Sequence, residues 1–576
     1  MRHVLLPLAL LALCACTPRS NDKPAASADA ATPAADAAAA SSHAFNDAID
    51  TGDFAEHVQQ LSSDAFGGRG PGTPGEEKSI EYIKAQFARI GLQPGNGSDW
   101  FQTVPMVETT ADEASASLVA TVGGTTQALK FGTDMVIGTR TGQPQVSIKD
   151  SPLVFVGYGV DAPEQQWNDY AGIDVKGKTV VMLVNDPGFH AGDAKLFDGK
   201  RMTYYGRWTY KFEEAARKGA AAALIIHDTE GASYGWDVVK NSWSGPQYDL
   251  PAKDDPAPRV PAQGWITGEA ATALFKAAGQ DLGKLRAAAN KRGFKPVPLD
   301  ATASLDLKST SVEKSSRNVI GLLPGSEAPD EAIVYMAHWD HLGTHEGEQS
   351  AESGGDNIYN GAVDNATGVA AILELAEAFR KTKTPPKRSI LFLAVTLEES
   401  GLLGSKYYVA HPVVPLDKTV AVVNLDALSP VGKAHDITVV GKGSSQLEDV
   451  LKTVLDAQHR VAKGETNTAA GYYFRSDHFN FAKAGVPALY IDSGTDLLDG
   501  GQAAGDAAGK DYTDNRYHKP GDQFDAATWK LDGIVQDVET AYSVGETLAN
   551  DGQWPNWNAG NPFKAARDKM RPAATK

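Results

Sequence analysis

The residues able to do chemistry gather in the C-terminal half of the chain: His338-Trp339-Asp340, Asp364, Glu398-Glu399, Asp426 and His518. Each follows closely on an apolar run. Together they supply two imidazoles and enough carboxylates for two zinc ions that share one bridging carboxylate and one water. Nitrogen and oxygen donors without thiolate suit zinc, and Mn or Co could occupy the same positions. A lone His or Asp at a strand end is usually structural. Three strands ending this way, with two further motifs beyond them, point instead to a site.

Continuous apolar runs at 332–337, 389–396, 419–424 and 487–491 predict strands covered on both faces. The candidate ligands of the first three fall at or just past their carboxyl ends, where open α/β sheets collect functional groups. Helical spacing appears at 368–379, 446–458 and 526–548, so this section is expected to be a three-layer α/β domain. Upstream, 54–61 and 79–90 also read as helices, the second stopping at Gly91. From residue 116 the texture changes to short β-branched runs separated by Gly, Pro and Asp. Strands are predicted at 152–160, 178–184 and 220–227, and a helix at 212–218. His190 and His227 lie in this section without ligand-spaced partners, and read as structural.

At 576 residues the chain exceeds one ordinary core, so two domains with appendages are expected. Hydrophobic content of 42% and charged content of 22% fit a soluble globular protein. A net charge of −18 argues against a nucleic-acid partner, which needs clustered Lys and Arg. After Met1-Arg2-His3, an apolar run over 4–15 is too short to cross a bilayer permanently. It ends in Leu13-Cys14-Ala15-Cys16, which resembles a bacterial lipoprotein signal with Cys16 as the lipidated residue. A plain secretory signal with incidental cysteines is the alternative. The resemblance implies a signal peptide over 1–15, export to the periplasm and membrane attachment through Cys16; Thr17 after it points to the outer membrane. Both cysteines lie here, so the mature protein is expected to have no internal disulfide. Residues 16–43, rich in Ala, Ser, Pro and Asp, read as a disordered tether.

Five motifs carry a family resemblance: His338-Trp339-Asp340-His341, the Gly-rich stretch 360–368, the stretch 397–405 around Glu398-Glu399, Asn424-Leu425-Asp426, and 517–522 from Tyr517 to Asp522. They resemble metallopeptidase family twenty-eight, the co-catalytic zinc aminopeptidases and their glutamate carboxypeptidase relatives, and occur in that family's order. The likeness covers 44–115 and 300–576. Phrases at 154–159, 169–178 and 219–226 resemble a protease-associated domain over 116–299, which in such families carries no catalytic residue and flanks the cleft. The fold implied is a mixed sheet flanked by helices, with an inserted β-rich domain.

The resemblance also implies roles. Asp364 would bridge two zinc ions, with His338 and Asp426 on one and His518 and Glu399 on the other. Glu398 would be the general base, and Asp340 would accept the other N–H of His338. The peptide bond after Asp364 is expected to be cis. Tyr473, just before Ser476-Asp477-His478, stands where some relatives polarise the substrate carbonyl; Tyr472 could serve equally, and plain packing is also open. Asp477 and His478 could at most support the ligands. His341 and His345 lie near the first ligand, but the zinc set is complete without them. His57, His411, His435 and His459 read as surface or capping residues. The activity implied is a zinc exopeptidase, an aminopeptidase acting on peptide substrates. A carboxypeptidase or dipeptidase of the glutamate carboxypeptidase type is the alternative, for which Arg475 is a candidate anchor without a paired Arg motif. A non-catalytic protein resembling the transferrin receptor is the alternative of another class. The insertions 343–360 and 495–515 are expected to border the cleft as lids. Oligomeric state is not readable.

Overall fold

A computed structural model describes residues 43–344 and 356–571. The signal segment, Cys16, the tether up to residue 42, His345 and most of the first insertion lie outside the described residues.

The strands are β1 (Phe101–Ala111), β2 (Val297–Leu323), β3 (Ala328–His338), β4 (Arg388–Val395), β5 (Thr419–Leu425), β6 (Asp436–Val440), β7 (Val461–Gly464) and β8 (Ala488–Asp492). They pair in the order β1–β2–β4–β3–β5–β8–β6–β7. The inner pairs β4–β3, β3–β5 and β5–β8 are parallel, whereas β1–β2, β2–β4 and β8–β6 are antiparallel, giving a mixed sheet. Successive side chains alternate between faces. Ile333, Tyr335 and Ala337 of β3 join one core with helices α1 (Thr51–Leu61), α2 (Pro74–Ile90), α3 (Thr367–Lys381), α4 (Leu447–Gln458) and α6 (Asp532–Asn550). Val334 and Met336 join a second core with helices Leu403–Ala410 and His478–Lys483. Helices on both faces make the expected three layers. Each fully buried Ile, Leu or Phe contributes roughly 1.5–3 kcal/mol.

Capping explains where the helix limits differ from the apolar pattern. α2 begins ahead of its first apolar contact because Thr73 caps Gly75 N–H and Pro74 opens the helix; it ends on Gly91 at φ 87°. α6 starts later than 526 because Asp525 binds its own neighbours, accepting from Ala527 N–H at 2.9 Å and Thr528 Oγ1 at 2.7 Å. Much of the second insertion is a helix, α5 (Gly501–Asn515).

The segment 116–299 folds around cores of its own. Strands Gln145–Phe155, Thr179–Leu183, Ala222–Ile226 and Ala262–Ile266 run parallel in that order. Helices Trp208–Arg217, Gly268–Ala277 and Leu282–Ala289 pack against them, so the segment is α/β and not simply β-rich. The first half of β2 pairs with Gln145–Phe155 and the second half with β1 and β4. One strand therefore belongs to both sheets, and the expected boundary at 299/300 falls inside it.

Candidate metal centre

The five expected metal ligands converge. Asp364 lies in the loop before α3, and its two carboxylate oxygens face different imidazoles. Oδ1 is 3.2 Å from His338 Nε2, and Oδ2 is 3.2 Å from His518 Nε2. His338 Nε2 is also 3.1 Å from Asp426 Oδ1, and His518 Nε2 is 3.2 Å from Glu399 Oε2. Two donors about 2.0–2.2 Å from one zinc ion are about 3.1–3.6 Å apart at near-tetrahedral angles, so these edges are ligand-sized. The tautomer also fits. His338 Nδ1 donates to the main-chain carbonyl of Asp340 at 3.1 Å, leaving the Nε2 lone pair for the cluster. Nitrogen and oxygen donors, with carboxylates in excess, suit a pair of divalent cations.

Local structure aims these groups. Leu397, Ala427 and His518 itself adopt left-handed φ of 57°, 57° and 55°. Such a conformation costs an L-residue about 1–2 kcal/mol and persists where surroundings over-determine it. Leu397 precedes Glu398, Ala427 follows Asp426, and His518 is itself an expected ligand. The Asp364–Asn365 peptide is cis, as expected. Asn365 ties the two sides of the site together: its Nδ2 donates to Leu425 O at 3.1 Å, and its Oδ1 accepts from Gly368 N–H and Ala427 N–H. A Cβ on Gly368 would lie 2.3 Å from both Asn365 Oδ1 and Leu425 O, so glycine is required there. Asp522 holds the loop from below through the N–H groups of Val363 and Asp364, both at 3.0 Å.

Glu398 and Glu399 diverge as expected of neighbours. Glu399 lies between His518 and the buried His341, whose Nδ1 is 2.8 Å from Oε1 without hydrogen-bond alignment. The Glu398 carboxylate has no hydrogen-bond partner among the described residues. Its N–H donates to Asp340 Oδ1 at 3.2 Å. The Asp340 carboxylate is therefore 3.8 Å from His338 Nδ1, and the expected contact is made by its main-chain carbonyl instead. Asp426 is steadied by Ser476 Oγ at 2.6 Å, itself held by Asn424 Nδ2 at 2.8 Å.

Tyr473 is brought elsewhere. Its ring packs 4.6 Å from His478 within the second core, and its hydroxyl has no hydrogen-bond partner among the described residues; burial, and after it the Glu448 charge, disfavours its ionisation. Tyr517 borders the expected ligands, stacked on the His518 ring at 3.9 Å. Its adjacency to His518 was the available signal. Asp477 accepts from Ser405 Oγ at 2.6 Å.

The electrostatics are those of crowded carboxylates. Burial pushes Glu398 well above the usual carboxylate range, and Glu399 and Asp426 add to this against His338. Burial likewise lifts Asp340 and Asp477 to about 7. Against burial, Glu399 and Asp364 hold His518 up to about 11.

Arg69 is a determinant that no sequence motif announced. Fully buried, it donates to the carbonyls of Trp339 at 2.8 Å, Leu61 at 3.0 Å, Asn360 at 2.6 Å and Gly361 at 2.8 Å. Burial lowers its pKa to about 10, so it stays cationic at neutral pH. Arg69→Met is expected to destabilise the protein by about 3–5 kcal/mol, since buried carbonyls lose their donors. An unchanged denaturation midpoint would rule out this clasp.

Residues 318–543, which contain all five motifs, match the sequence model of Peptidase family M28. The chain is 30% identical over 196 residues to "Glutamate carboxypeptidase 2 homolog" of Caenorhabditis elegans, covering 33% of this chain and 23% of that protein. It is 26% identical over 167 residues to mouse "Aminopeptidase NAALADL1", covering 28% and 20%, and 27% identical over 186 residues to "Aminopeptidase YwaD" of Bacillus subtilis, covering 32% and 37%. The matches thus span about a fifth to over a third of these relatives. Among solved structures, an aminopeptidase from Aneurinibacillus sp. strain AM-1 aligns over 88% of this chain and 95% of its own, at TM-score 0.46 and 20% identity.

Proposed function

We propose that this protein is a zinc-dependent exopeptidase, an aminopeptidase that hydrolyses N-terminal residues from peptides. The observation that carries the reading is Asp364, whose two oxygens each face a separate imidazole-carboxylate pair. His338 and Asp426 would hold one ion, His518 and Glu399 the other, with Asp364 shared. Bound there, two zinc ions supply Lewis-acid polarisation of the scissile carbonyl and an acidified water. Glu398, unpartnered beside them, takes the attacking water's proton and passes it to the leaving amine. Burial raises its proton affinity above that of an ordinary carboxylate, the direction a proton acceptor needs. Asp340 fixes the backbone that presents Glu398, and Tyr517 lines the approach beside His518.

A cavity of about 230 Å³ adjoins Val363, lined by Val431, Leu497, Tyr512 and Trp529, with Arg516 and Lys530 also on it. We assign it to the substrate's first side chain, which favours apolar over cationic residues. Leucyl-nitroanilide is expected to outpace lysyl-nitroanilide by about tenfold or more, and N-acetyl-leucyl-nitroanilide to resist cleavage. Equal rates on free and blocked substrates would sink the aminopeptidase reading and leave a metallohydrolase standing.

One observation favours the carboxypeptidase alternative. Arg207, in the inserted segment, is lowered to about 9 by burial, and the Arg475 charge adds to this. Neither side-chain Nε has a hydrogen-bond partner among the described residues. Paired guanidinium groups suit a terminal carboxylate. Cleavage of N-blocked peptides with a free C-terminus, weakened by Arg207→Met, would favour that reading.

Ion uptake should release protons. The metal-free protein keeps His518 protonated up to about 11, and a ligating imidazole must be neutral. The raised pKa gives stability to the metal-free fold that is full below the ordinary 6.5 and lost as pH rises through about 11. Zinc affinity therefore weakens as pH falls. Dialysis near pH 5 is expected to strip ions that are retained near pH 8, and the calorimetric heat of zinc binding should vary with the buffer's ionisation enthalpy. A buffer-independent heat would contradict this.

Export and membrane attachment through Cys16, toward the outer membrane, remain part of the proposal, supported by Leu13-Cys14-Ala15-Cys16. Among the described residues no helix is long and apolar enough to cross a membrane. The inserted segment is assigned as a protease-associated domain flanking the cleft. Support comes from Met202 N–H donating to Thr468 O at 3.1 Å and Lys483 pairing with Glu213 at 2.9 Å.

A further inference from the structure

A second set of buried donors lies on the sheet face covered by α1 and α3. Glu374 and Glu377 sit three residues apart on α3, hence on one side of it, and His57 faces them from α1. Their exposures are 0% for His57, 1% for Glu374 and 4% for Glu377. One ligand atom of each lies within 4.8 Å of the other two. His57 Nε2, Glu374 Oε1 and Glu377 Oε2 are also atoms with no hydrogen-bond partner among the described residues.

The far atom of each side chain is anchored. His57 Nδ1 is 2.7 Å from Tyr82 Oη, Glu374 Oε2 accepts from Asp50 N–H at 3.1 Å, and Glu377 Oε1 accepts from Arg89 Nη1 at 2.6 Å. In the tautomer whose Nδ1–H is given to Tyr82 Oη, a neutral His57 presents the Nε2 lone pair inward, the arrangement of a ligating imidazole. His57 Nε2 and Glu374 Oε1 are 3.7 Å apart. That is too long for a hydrogen bond, and is close to the span of two donors about 2.0–2.2 Å from a common ion at an open angle. Phe45 closes the pocket by stacking on His57 at 4.7 Å.

We infer that His57, Glu374 and Glu377 hold a further divalent cation of the zinc type, a structural ion that ties α1 to the helix following Asp364. A proton left on Glu374 would not satisfy the site, because 3.7 Å leaves it no hydrogen bond to His57.

The test uses full-length protein loaded with zinc and desalted. Glu374→Gln and His57→Gln are each expected to carry about one zinc ion per chain fewer than wild type, to unfold at lower temperature and to keep peptidase activity. Zinc-edge anomalous scattering from wild-type crystals should place a peak between His57 Nε2 and Glu374 Oε1. Equal zinc content in variant and wild type would overturn the inference. So would an anomalous map with no peak there, which decides the matter even if the variants fail to fold. Both readouts are independent of how many ions the Asp364 centre holds.

Discussion

Glu398→Gln is expected to lower kcat by about 10²–10⁴-fold with zinc content and KM nearly unchanged. Glutamine keeps the size and the main-chain contact to Asp340, but cannot accept the water's proton. The neighbouring Glu399 cannot substitute, because its Oε2 faces His518 and its Oε1 faces His341. Steady-state kinetics on an aminoacyl-nitroanilide, with metal analysis of the same samples, make the comparison. A variant that keeps more than about a tenth of the activity would remove Glu398 as the base.

The second large effect falls on Asp364. Asp364→Ala is expected to abolish stable binding of both ions and to reduce activity on the order of 10⁴-fold or more, equivalent to several kcal/mol of lost Lewis-acid stabilisation. One side chain controls both ions because its two oxygens face different imidazoles. The Asp364 side chain is not what holds the loop: that task falls to the Asp522 carboxylate on main-chain N–H groups and to the Asn365 amide. Circular dichroism should therefore show a folded protein. Retention of one full equivalent of zinc at the His338–Asp426 pair would refute the shared-ligand role.

Features with local causes were legible in the sequence, and those with distant causes were not. His338, Glu398, Glu399 and Asp426 were legible because they end, or closely follow, strands buried on both faces, and such strands appear as unbroken apolar runs. The stop of α2 at Gly91 was legible because a left-handed C-cap needs glycine. Asp340 was harder. Its position predicted a carboxylate contact with His338, but the carboxylate turns to the N–H of Glu398, fifty-eight positions away. Tyr473 and Tyr517 both neighbour a polar motif, and which ring reaches the ligands depends on how a short helical turn is packed. His57 was read as a capping or surface residue, yet is wholly buried against α3.

By itself the sequence determined the chemistry on offer: imidazoles and carboxylates without thiols, carried at the ends of buried strands in a three-layer α/β arrangement. Residue type and apolar periodicity are local properties, so they survive without a fold. Only the tertiary structure decided which oxygens of Asp364 face which imidazole, that Arg69 clasps the loops around the site, that the Arg475 charge reaches the buried Arg207, and that His57 finds two glutamates. Those pairings depend on distances of a few ångströms between residues tens to hundreds of positions apart, and packing alone sets them.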